Sequence, residues 1–107
     1  MAERKSITKI VEGEEYTILR LTLGEQLDTE ERTTELDEKG NILKWKGNEF
    51  FVWQLHYGIR KNGKQFTIDE IKEMDKVVAN ILFRELQKFN RVPLEESEDS
   101  SKPIKDN

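Results

Sequence analysis

The sequence predicts an α+β fold: an antiparallel β-meander of about five strands, followed by one long C-terminal amphipathic helix and a disordered acidic tail. Three observations carry that reading. Short runs that alternate apolar and polar residues, each closed by a turn signal, fill the chain from Ile7 to Tyr57, and alternation of period two is the mark of a half-buried strand. Ile71, Met74, Val78, Ile81, Leu82 and Phe89 recur at steps of three, four and seven, so they share one face of a helix. From Leu94 onward, LEESEDSSKPIKDN has almost no apolar side chain and cannot bury enough surface to offset its ordering entropy.

In chain order, residues 1–5 are expected to fray, 6–94 to form a single domain, and 95–107 to stay disordered. Ile7–Val11 and Tyr16–Leu23 read as a hairpin around Glu12-Gly13-Glu14-Glu15. Within the second run Leu19, Leu21 and Leu23 alternate with Arg20 and Thr22. Gly24–Arg32 is acidic and breaks the pattern, leaving room for no more than a helical turn capped at Asp28. Thr33–Asp37 and Asn41–Lys46 form a second hairpin, closed at Glu38-Lys39-Gly40 by a left-handed glycine. There Leu43 and Trp45 point one way, and Ile42, Lys44 and Lys46 the other.

The run EFFVWQLHYGIR at 49–60 is the ambiguous segment. Phe51, Trp53, Leu55, Tyr57 and Ile59 alternate with Val52, Gln54, His56 and Gly58, which favours a strand. A helix capped at Asn48 and stopped at Gly58 is the rival, since Phe51, Leu55 and Ile59 also share a helical face. Lys61-Asn62-Gly63-Lys64 is a turn in either case. The helix over 66–89 opens on a capping box, Thr67 with Glu70, and closes at Asn90 and Pro93.

Composition narrows the function. The chain has 107 residues, 37% of them charged, and no cysteine, so disulfides and thiolate metal sites are excluded. The first residues, MAERKSITK, have no apolar stretch of the kind a secretory signal needs. A soluble cytoplasmic protein, with no membrane partner, is expected. The net charge of −4 conceals a division. Residues 12–38 carry ten acids against Arg20 and Arg32, whereas Lys39, Lys44, Lys46, Arg60, Lys61 and Lys64 face Glu49 alone in 39–64. Segments distant in sequence that interleave in space would cancel this. Otherwise it makes a polarised surface for a charged partner.

Catalytic signatures are missing from the sequence. There is no P-loop, GxGxxG, GxSxG or HExxH pattern. His56 is the single histidine and has no companion for an ordinary zinc site. Glu12, Glu14, Glu15, Asp28, Glu30 and Glu31 lie in expected turns, where solvated charge is usual. The expectation is therefore no enzyme, no cofactor and no metal, but a small protein–protein interaction module: an adaptor, inhibitor or assembly factor, with the style of a bacterial or phage accessory protein. A five-stranded sheet is wider than one helix can cover. Its second face, with Ile10, Ile18, Ile42, Phe50 and Val52, is the expected interaction surface, for a homodimer or a protein partner. The alternative is a single-stranded nucleic-acid binder. Lys44, Lys46, Arg60, Lys61 and Lys64 would follow phosphates while the interleaved aromatic rings stack on bases.

Overall fold

The computed structural model describes residues 4–91; the expected tail at 95–107, Pro93 and the first three residues lie outside that range. The architecture is α+β with antiparallel strands and a C-terminal helix. Strands β1 (Ser6–Val11) and β2 (Glu14–Leu19) form the expected hairpin. Its two-residue loop, Glu12-Gly13, has φ of 49° and 84°, the left-handed pair that matches the twist of the flanking strands. Strands β5 (Ile59–Lys61) and β6 (Lys64–Gln65) repeat the device at Asn62-Gly63, with φ of 54° and 78°. The sheet order is β1-β2-β5-β6, antiparallel throughout. A separate two-stranded sheet pairs β3 (Thr34–Leu36) with β4 (Ile42–Trp45).

Between these strands lie helices that the sequence reading placed differently. Helix α1 (Leu23–Thr33) occupies the stretch expected to be irregular. Thr22 is its N-cap, with Glu25 closing a capping box, so the chain leaves β2 earlier than expected and Leu23 begins a helix. Helix α2 (Gly47–Gly58) replaces the strand expected over 49–60. It is apolar on nearly every side because α1, a third helix and a fourth all pack around it, which is how a helix comes to lack an amphipathic period.

The single helix expected over 66–89 is two. α3 (Ile68–Lys72) starts on the predicted Thr67–Glu70 capping box. α4 (Lys76–Asn90) starts afresh at Asp75, whose carboxylate accepts from the Val77 and Val78 amides at 3.0 and 3.1 Å. A short carboxylate competes well for free N–H groups, so Asp75 caps a new helix rather than continuing the old one.

The core lies between the four-stranded sheet and α2 and α4. Val11, Tyr16, Ile18 and Ile59 of the strands meet Leu55, Ile71, Val78, Ala79, Leu82 and Leu86. Gly58 lets α2 approach α4: a Cβ there would sit 2.5 Å from Leu86 Cδ1. Asn90 ties the end of α4 to the sheet, accepting from the Leu21 amide at 2.7 Å and donating to the Leu19 carbonyl at 3.1 Å.

A ladder of side-chain amides crosses the three helices. Gln87 of α4 donates to Gln54 Oε1 at 3.0 Å, Gln54 donates to Gln26 Oε1 at 3.2 Å, and Gln26 donates to Glu30 at 2.8 Å. Gln54 is 2% exposed, so its partners satisfy an amide that water does not reach.

Candidate protein-interaction surface

The β3–β4 hairpin stands outside the main sheet, and its side chains are largely exposed. Asp37 shapes the turn, its carboxylate accepting from the Lys39 and Asn41 amides at 2.9 Å each. Those bonds, Asn41 first, hold its carboxyl below the usual range. Gly40, at φ 86°, supplies the expected left-handed position.

Register then decides which residues share a face. Thr34 opposes Trp45 and Glu35 opposes Lys44, but Leu36 opposes Ile42, so β4 carries an irregularity at Leu43. An extra residue in one strand shifts the alternation beyond it. Ile42 and Trp45, three apart, thereby share a face with Thr34 and Leu36, while Glu35 and Lys44 take the other. This corrects the expectation that Trp45 and Leu43 point together, away from Ile42.

That face, with Leu27, Glu30 and Glu31 of α1 and Phe50 of α2, lines a groove of about 650 Å³. Ile42 is 70% exposed and Trp45 59%, and Leu27 and Leu36 are also open to solvent. The Trp45 ring lies 3.1 Å from where a Cβ on Gly47 would be, and 5.6 Å from the Phe50 ring.

Helix α1 can form the other wall because its inner face is polar yet satisfied. Thr29 and Thr33 are buried, and each hydroxyl donates to the carbonyl four residues back, at 2.9 and 2.8 Å. At the far side of α1, Asp28 accepts hydrogen bonds from the Tyr57 hydroxyl and from Arg32 Nε at 2.9 Å, and the Arg32 guanidinium lies 4.3 Å over the Trp53 ring. The Tyr57 bond, then Arg32, holds the Asp28 carboxyl below the ordinary carboxylate range, while Asp28 pushes the Tyr57 hydroxyl up.

Of the expected interaction face, the structure brings only Ile42 and Phe50 together. Ile18 is fully buried in the core (0% exposed), because β2 ends at Leu19 and its inward positions are Tyr16 and Ile18. Ile10 is 65% exposed, across from Glu15 on the side of the sheet that also carries Ser6 and Thr8. Val52 packs partly against the core and lines a different cleft of about 560 Å³ with Phe51, Ile71 and Met74. The wide sheet with a second apolar face is therefore absent from the described fold, which offers no such face for self-pairing.

The five expected phosphate contacts fall in two separate regions. Lys44 lies on β4 and Lys46 follows it as the N-cap of α2, whereas Arg60, Lys61 and Lys64 belong to the β5–β6 hairpin. Lys46 pairs with Glu35 at 3.0 Å and Lys61 with Glu14 at 2.7 Å. Each lysine holds its partner's carboxyl below the usual range. Two ion pairs thus join the acidic block to the basic block. Arg60 turns inward to donate to the Tyr57 and Ile59 carbonyls at 3.1 Å, and burial lowers its guanidinium pKa, with Arg4 adding to the effect. Lys44 and Lys64 remain exposed.

His56 points away from the groove. Its Nδ1 lies 2.7 Å from the Phe66 carbonyl, so Nδ1 carries the proton in that contact. Among the described residues, no three acids, histidines or cysteines gather in a way that could hold a metal ion, and no helix is long and apolar enough to cross a membrane.

Sequence reasoning missed α1, Leu27 and the groove itself. One signal was available: Thr22…Glu25 is the same T-x-x-E pattern as Thr67…Glu70. Compared with known protein families, with curated proteins and with solved structures, the chain matches none.

Proposed function

We propose that the protein is a non-enzymatic interaction module, and that it docks its protein partner in the groove between α1 and the β3–β4 hairpin. One observation carries the reading: Leu27, Leu36, Ile42 and Trp45 are exposed together along one groove. Contiguous apolar surface of that kind is the usual mark of an interaction site. An exposed tryptophan backed by a second aromatic ring is the type of anchor that carries binding energy. The side-chain bonds of Glu14, Asp28 and Asp37 serve the fold rather than a reacting centre. A small accessory protein of the cytoplasm, from a bacterium or phage, belongs to the same proposal.

The test compares three tagged proteins in an extract of the source cells: wild type, Ile42→Asp, and Lys64→Glu as a control on β6. A stoichiometric partner retained by wild type and Lys64→Glu but lost with Ile42→Asp supports the groove. A partner that all three retain refutes it.

The second reading is single-stranded nucleic-acid binding, favoured by the exposed Trp45 ring, which Lys44 and Lys46 flank in sequence. There the rings would stack on bases and the lysines meet phosphates. Titration with a labelled oligonucleotide at two salt concentrations separates the readings. Nucleic-acid binding strengthens at low salt through counterion release, so its absence there removes this alternative.

A further inference from the structure

Resting on the groove reading, we propose that the occupant is a cationic amphipathic helix of a partner protein. The charge of the lining is one-sided. Its eight residues include Glu30 and Glu31 and no lysine or arginine. Other acids of α1 already have cations: Glu25 pairs with Arg4, and Asp28 with Arg32. Glu30 is bonded to the neutral Gln26 amide, and the ion pairs among the described residues do not include Glu30 or Glu31. The apolar floor is thus bordered by two carboxylates that a basic residue would complete.

The same charge argues against two other occupants. A two-fold pairing of the groove with a second copy supplies the same patch twice, and so four carboxylates with no cation in the lining. The chain beyond Leu94 carries Glu95, Glu96, Glu98, Asp99 and Asp106 against Lys102 and Lys105, and would bring acid to acid.

Shape favours a helix over an extended peptide. The groove lies over the face of the hairpin, where side chains project, whereas a peptide strand needs an unpaired edge of backbone N–H and C=O groups. A helix satisfies its own backbone and presents apolar anchors at steps of three and four. Its basic residues would then lie toward Glu30 and Glu31.

The probes are two labelled synthetic helical peptides with the same leucine stripe, one carrying lysine and the other glutamate at every polar position. Binding to the full chain is followed by anisotropy and by Trp45 emission, at about 50 and 300 mM NaCl. The lysine peptide should bind about tenfold or more tighter than the glutamate peptide, weaken with salt, and be lost with Ile42→Asp. The double variant Glu30→Lys, Glu31→Lys should reverse the preference. Equal binding of both peptides by wild type, lost with Ile42→Asp, overturns the cationic helix and leaves the groove standing. Binding undiminished by Ile42→Asp overturns both. Failure of both peptides to bind overturns the helical occupant, as does a dimer of wild type that Ile42→Asp dissociates in sedimentation.

Discussion

Gly58 of α2 lies against Leu86 of α4 with no room for a methyl group between them: a Cβ would come within 2.5 Å of Leu86 Cδ1 and 3.3 Å of its Cγ. Leu86 is fully buried, so moving it aside means repacking its neighbours. Gly58→Ala should therefore cost on the order of 1–3 kcal/mol as an overpacked contact. The double variant with Leu86→Ala should be less destabilised than the two single costs added together. Urea unfolding of the four proteins closes the cycle. Simple additivity would show that the helices do not meet here.

The apolar stripe of α4 gives a graded series. Val78→Ala and Leu82→Ala should each cost on the order of 1–4 kcal/mol by leaving a cavity, because both side chains are buried. Lys76→Ala should cost less than about 0.5 kcal/mol. Gln87 lies on the exposed side of α4, but its amide serves the buried Gln54. Gln87→Ala should cost on the order of 1 kcal/mol through that orphaned acceptor. Equal effects at Lys76 and Gln87 would contradict the ladder.

Asp75→Ala should cost about 0.5–2 kcal/mol, since it removes the acceptor for the Val77 and Val78 amides. Asp75→Asn should recover most of the loss. A neutral result would mean that α3 and α4 join into the continuous helix that the sequence suggests.

The Asp28–Tyr57 contact predicts a pH dependence. The folded state holds the Asp28 carboxyl below its ordinary value, through Tyr57 first and Arg32 second. A depressed carboxylate pKa stabilises the fold at pH values above the unfolded pKa of about 4. That stability is lost as pH falls through the lower, folded value. Tyr57→Phe should accordingly be less stable than wild type at pH 7, and the gap should narrow in acid. Chemical unfolding at pH 7 and pH 3 reads the difference. A gap that stays constant would mean that the bond does not depend on the ionised carboxylate.

The two tryptophans should report separately. Trp45 is open to solvent, whereas Trp53 is half-buried beneath the Arg32 guanidinium. Acrylamide should quench Trp45 strongly and Trp53 weakly, so Trp45→Phe should remove most of the quenching. An unchanged quenching curve would place Trp45 against protein rather than in the groove.

Much of the local chemistry was legible in the sequence, and most of the packing was not. Gly13, Gly40 and Asn62-Gly63 take the left-handed turn positions their residue types favour, and Thr67 caps a helix as its T-x-x-E pattern announces. Alternation misled at 49–60 because a helix surrounded by neighbours needs no polar face, and its aromatic residues then mimic a strand. α1 was hidden for the opposite reason. Its inward positions are Thr29 and Thr33, polar residues that leave no apolar stripe to count. Of the groove, Ile42 and Phe50 stand in the expected interaction face, but the irregularity at Leu43 that brings Trp45 beside them has no signature in residue type.

The buried amide of Gln54 has an effect beyond its own hydrogen bonds. By hydrophobicity alone α2 would be nearly indifferent to rotation about its own axis, since it offers oil in every direction. Only one angular setting slots the amide between Gln26 and Gln87; the others strand it in a dry interior. Phe50 stands one helical turn before Gln54 on the same side of α2, so the setting that satisfies the amide also aims the phenyl ring into the groove. The aim of the proposed docking surface is thus fixed by a side chain outside the groove. A mutation at Gln54 could blunt recognition from inside the protein, leaving every groove residue unchanged.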